Sequence, residues 1–96
     1  MKIVHLVLSD VFAGIEQHVN ELSLEQQLHE DVEIICNKEI SKGFDLKKVI
    51  SINNFNRRSP FGIIKLLLLI TKKNADIIHT HGSKTTSIIN MIKKFI

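Results

Sequence analysis

Apolar and polar positions along this chain follow two periods, one of strands and one of helices. Residues 2–8 are apolar except for Lys2 and His5, and Ile3, Val4 and Val7 are β-branched. Such a run predicts a strand buried on both faces. Residues 9–13 then form a loop, and residues 14–29 a helix. Ile15, Val19 and Leu22 lie on one stripe of it, with Glu16, Gln17, Asn20 and Glu21 mostly off the stripe. Residues 32–36 (Val-Glu-Ile-Ile-Cys) predict a second strand, and residues 48–52 a short third. Between them, residues 37–47 are polar, contain Gly43 and predict a loop. A polar, basic loop at 53–58 leads to Ser59-Pro60, a helix start with serine as N-cap and proline in the first turn. That helix runs to about Lys73. Lys72 and Lys73 suit its negative end, and Asn74 can take a left-handed stop. Residues 77–81 predict a fourth strand. Ser83 can cap a last helix with Ile88, Ile92 and Phe95 on one face.

The order β-α-β-β-α-β-α with buried strands predicts an α/β fold: a partial Rossmann-like parallel sheet of about four strands, order 3-2-1-4, flanked by helices. The fourth strand would lie at an edge. Residues 1–96 would be one incomplete domain, since this length holds one domain and not two.

Composition narrows the function. Net charge is +3, with the lysines scattered rather than massed, so nucleic acid is not expected as a partner. Arg57, Arg58, Lys65, Lys72 and Lys73 could meet anionic lipid headgroups, though a solvated face is the plainer reading. Cys36 is the one cysteine, which excludes a disulfide framework and a multi-cysteine zinc site and fits a reducing cytoplasm. The apolar stretch 61–70 contains Lys65 and falls short of the roughly 20 residues of a membrane span.

Two strand–glycine–helix junctions carry the candidate chemistry. Ligands of open α/β sheets sit beyond the carboxyl ends of strands, against helix N-termini. The first junction is Ala13-Gly14-Ile15-Glu16. It has one glycine where a dinucleotide fingerprint needs three, so NAD or FAD is not expected. A turn-forming role for Gly14 is the bland alternative. The second junction is His79-Thr80-His81-Gly82-Ser83-Lys84. His79 and His81 point to the same face but have no third ligand at suitable spacing, so no metal is expected. His81 could donate to a sugar hydroxyl or phosphate, and could titrate near neutrality. Gly82, Ser83 and Lys84 form a small, cationic helix start suited to an anion, or an ordinary cap.

Four stretches in order, Met1-Lys2-Ile3-Val4-His5-Leu6, Ala13-Gly14-Ile15-Glu16-Gln17-His18-Val19, Val32-Glu33-Ile34-Ile35-Cys36 and Asp76 through Lys84, resemble the N-terminal domain of family-4 glycosyltransferases of the GT-B fold. The resemblance covers nearly the whole chain. It implies a retaining transferase that moves a sugar from a nucleotide-sugar donor to a cell-envelope glycan or lipid-linked acceptor, with no cofactor and no metal. It implies a cytoplasmic location with peripheral contact at the inner membrane face. Ala13 and Gly14 would lie against the donor phosphates and reactive sugar, and His81 near the transferred sugar; Glu16, Gly82, Ser83 and Lys84 would be neighbours. Ala13 stands where the family has the first of two glycines. The family's donor-binding domain, with paired glutamates and an Arg/Lys clamp, has no counterpart here, so this piece is expected to be inactive alone. Two other readings stand beside it. One is a non-catalytic module that pairs, with itself or a partner, through the exposed fourth strand. The other is a different Rossmann-type nucleotide binder.

Overall fold

In the computed structural model, which describes residues 1–9, 11–52 and 60–82, the first apolar run forms β1 (Lys2–Val7). There follow α1 (Gly14–Gln26), β2 (Asp31–Asn37), a short α2 (Lys38–Ser41), β3 (Val49–Ile52), α3 (Pro60–Lys73) and β4 (Ile77–His81). The four strands are parallel, in the order β3-β2-β1-β4. This is the expected partial Rossmann-like α/β sheet. The loop at 53–59, the Ser59 cap, Asp10 and the helix expected from Ser83 lie outside the described residues.

Alternation along β1 divides the core in two. Ile3 and Val7 join Val32, Ile34 and Cys36 of β2 and Val19 of α1. Val4, Leu6 and Leu8 join Ile35 and, from α3, Leu66. With α1 on one face and α3 on the other, β1 is buried along almost its whole length, which is why its sequence is nearly continuous in apolar residues. Cys36 is fully buried, as a small apolar residue would be, and burial pushes its thiol up to about 11.

Four expectations need correction, three of them between α1 and β3 and one at β4. Helix α1 stops at Gln26 rather than 29. The Asp31 N–H donates to the Met1 carbonyl at 3.1 Å, so the chain has by then left the helix to pair with β1. The buried stripe of α1 also has a different phase: Glu16, Val19, Asn20 and Ser23 face inward, and Ile15 is 52% exposed. Glu16 and Asn20 can be buried because they have partners. Asn20 exchanges two hydrogen bonds with Asp45, accepting its N–H at 2.8 Å and donating to its carboxylate at 3.0 Å. Finally, residues 37–47 are more than a polar loop. They contain α2 and supply Ile40, Phe44 and Leu46 to the core.

The expected left-handed stop after α3 is present, with Asn74 at φ 51°. Lys73 serves a second purpose, pairing with Glu33 of β2 at 3.1 Å. Strand β4 lies at the sheet edge as expected. It was also expected to be buried on both faces, but Ile77, Ile78 and His79 are exposed among the described residues. No described helix is long and apolar enough to cross a membrane.

Candidate functional site

All four strands run the same way, so their carboxyl ends share one edge. Val7 of β1 is the register partner of His81 of β4. The loop that carries Ala13 and Gly14 therefore leaves the sheet beside His81 and Gly82. The two junctions singled out in the sequence are neighbours.

The β1–α1 loop is held from three sides. The buried Glu16 carboxylate accepts the Ala13 N–H at 2.8 Å and the Ser9 hydroxyl at 3.0 Å. This is one half of a capping box; alanine has no side-chain oxygen to supply the other half. Asn37, at the end of β2, donates to the carbonyls of Leu8 and Ser9 at 2.7 and 3.1 Å. Phe12 packs edge-on against Phe44, with ring centroids 5.2 Å apart. Its ring also lies over Gly43, where an added Cβ would meet it at 2.4 Å. Glu16 thus braces the loop through both oxygens instead of reaching out to a ligand.

Gly14 occupies the first position of α1 without a left-handed backbone, and an added Cβ there would meet nothing within 4 Å. Neither the turn nor the packing needs a glycine at this point. The space in front of it is open, and the first-turn N–H groups of a helix have no intrahelical acceptor. Gly82, by contrast, has φ +87°, a conformation that a side chain would strain.

The second junction holds a cluster that the sequence only half revealed. His5 of β1 lies opposite His79 of β4, and His81 is two residues on, so all three side chains rise from the α1 face. Ring centroids are 5.4 Å apart for His5–His79, 5.0 Å for His5–His81 and 4.1 Å for His79–His81. The nitrogen that each can offer as a ligand lies within 4.8 Å of the others, so the cluster has the residues to hold a metal. The third ligand missing from the sequence spacing comes from the neighbouring strand.

Hydrogen bonds set the tautomers. His5 Nε2–H donates to the Gln26 Oε1 of α1 at 2.6 Å. Its Nδ1 is then an acceptor, and takes the Nε2–H of His81 at 2.9 Å. His81 is left with Nδ1 as an outward acceptor. It therefore suits accepting a hydrogen bond from a sugar hydroxyl, whereas the expectation was that it would donate one to a sugar hydroxyl or phosphate. Nor does it titrate near neutrality. Burial first, then His79, His5 and His18, bring His81 down to about 4. Burial likewise lowers His5, opposed by the bond to Gln26.

A depressed histidine favours the fold only while neutral. Between the ordinary value of 6.5 and the folded value of about 4, the unfolded chain binds the extra proton. Stability should therefore fall as pH is lowered through that window. Urea unfolding in the presence of a chelator checks this, and His81→Asn should flatten the slope.

Among the expected site residues, Ala13, Gly14, Glu16, His81 and Gly82 come together at the carboxyl edge, while Ser83 and Lys84 lie outside the described residues. His5, Gln26 and Asn37 were missed. For His5 there was a signal, a polar residue inside an otherwise apolar buried strand. The class defined by fold and edge is a parallel α/β sheet with a glycine turn and a histidine side by side at its carboxyl end. The chain matches no protein family, no curated protein and no solved structure.

Proposed function

We propose that this chain forms the acceptor-side, N-terminal part of a retaining GT-B glycosyltransferase. It would act on a nucleotide-sugar donor and a cell-envelope glycan or lipid-linked acceptor. The observation that carries this reading is the pairing of Val7 with His81, which puts the Gly14 turn and the histidine at one strand edge, where α/β folds bind ligands. The open space at Gly14 adds to it. A donor lying against the backbone is a reason for glycine where neither turn nor packing provides one. The His81 Nδ1 would accept from a sugar hydroxyl. The groups that bind the donor's nucleotide and stabilise its leaving phosphate would come from outside these 96 residues. With them absent, the chain alone would not catalyse transfer.

Gly14→Ala tests the reading, because the fold tolerates the methyl group. Stability should hold or rise by about 0.4–1 kcal/mol. Sugar transfer by the protein made in its own cells should fall about tenfold or more, since a small misplacement of reacting groups is costly. Unchanged transfer would remove the donor from this turn.

A second reading rests on β4, an edge strand with Ile77 and Ile78 at 44% and 40% exposure. Such an edge can pair with another strand, which would make the chain an interaction module. Sedimentation that gives a concentration-dependent dimer, lost when Ile78 is replaced by lysine, would favour it.

A further inference from the structure

The three histidines sit on paired positions of adjacent strands, His5 opposite His79 and His81 two residues further along. Ligands borne by a hydrogen-bonded sheet are held more rigidly than ligands on loops. One nitrogen from each lies within 4.8 Å of the other two. Gln26 accepts the Nε2–H of His5 at 2.6 Å and so turns Nδ1 toward His81. Metal-bound histidines are held in this way, with the outer ring nitrogen fixed by an oxygen acceptor.

We propose that His5, His79 and His81 bind a zinc(II) ion, His5 through Nδ1 and His81 through Nε2, with the fourth position left to water or an added ligand.

Three imidazoles without carboxylate or thiolate suit zinc and its neighbours, not magnesium or calcium. Tetrahedral zinc–nitrogen bonds of about 2.0–2.1 Å put neighbouring nitrogens about 3.3 Å apart. His5 Nδ1 and His81 Nε2 stand at 2.9 Å, so that pair opens slightly, and the exposed His79 swings in. The ion replaces the shared hydrogen bond. His81 moves its proton from Nε2 to Nδ1 and stays neutral, so both nitrogens present lone pairs to the ion. The inference does not rest on the transferase reading and gives the ion no part in sugar transfer. An occupied site would withdraw His81 from any sugar.

The test is a titration of the chain with zinc(II) by calorimetry and with cobalt(II) by absorption, with no donor or acceptor present. One ion per chain and a tetrahedral cobalt spectrum are expected. His79→Ala is the informative variant because its side chain is exposed and its loss spares the core. It should weaken binding at least tenfold. Gln26→Ala should weaken it about 10- to 100-fold through the lost orientation of His5. His29→Ala, on an exposed histidine elsewhere, should bind as the parent does. Failure of the parent chain to take up zinc, or equal uptake by His79→Ala, would overturn the proposal.

Discussion

Truncating Leu6 to alanine should cost about 2–5 kcal/mol of stability, the range for a buried leucine whose cavity cannot fully collapse. Leu6 is 0% exposed at the middle of the central strand. It packs with Val4, Leu8, Ile35 and Leu66, the cluster that joins β1 and β2 to α3. Strands on both sides pin its backbone, with Ile35 and Thr80 as register partners. The neighbours cannot move in without breaking ladder bonds. A chain of this size has a net stability of about 5–14 kcal/mol at the usual 0.05–0.15 kcal/mol per residue. The loss is thus a large share of the whole. Urea unfolding should show a much lower midpoint with an unchanged slope. A cost below about 1 kcal/mol would mean that β1 is not packed between two helix layers.

The second large effect is chemical. His81→Ala should lower sugar transfer by the protein as its cells make it about 10²- to 10³-fold, the usual cost of one polar group that stabilises a transition state. The fold should survive, since His81 is only half-buried at the last position of an edge strand. His81→Ala and His5→Gln differ usefully. Glutamine at position 5 keeps a polar side chain beside Gln26 but disturbs the orientation of His81, so its transfer should fall between parent and alanine variant. Equal transfer by His81→Ala and the parent would place the chemistry elsewhere.

Strand order and strand positions were legible because buried parallel strands are written as apolar runs, and right-handed crossovers leave few ways to arrange them. The phase of α1 was not legible. Glu16 and Asn20 look like solvent-facing residues until Ser9, Ala13 and Asp45 are placed beside them. Asp45 is 25 residues from Asn20, beyond the reach of a helical period. The stretch 37–47 hid Ile40, Phe44 and Leu46 among charges, so its share in the core went unseen.

At the candidate site, Gly14 and His81 stood out because each lies at a strand-to-helix junction, where open α/β sheets bind ligands. His5 did not, although the strand order that predicted β1 beside β4 also made His5 a potential neighbour of His79. What was missing was register, which no single-strand pattern contains. The titration of His81 was misjudged for the same reason. Its low value comes first from burial, then from His79 on the same strand and from His5 and His18 on other elements, and of these only His79 shows in the local sequence.

The most direct measurement is sugar transfer by the native protein, purified from its own cells and offered a panel of labelled nucleotide-sugars with a membrane extract as acceptor. A chelator should be present throughout, to keep any ion off His81. Label should pass from one donor into a glycan or lipid-linked product, with Gly14→Ala and His81→Ala both impaired. A native protein that transfers no sugar from any donor under these conditions would contradict the transferase reading.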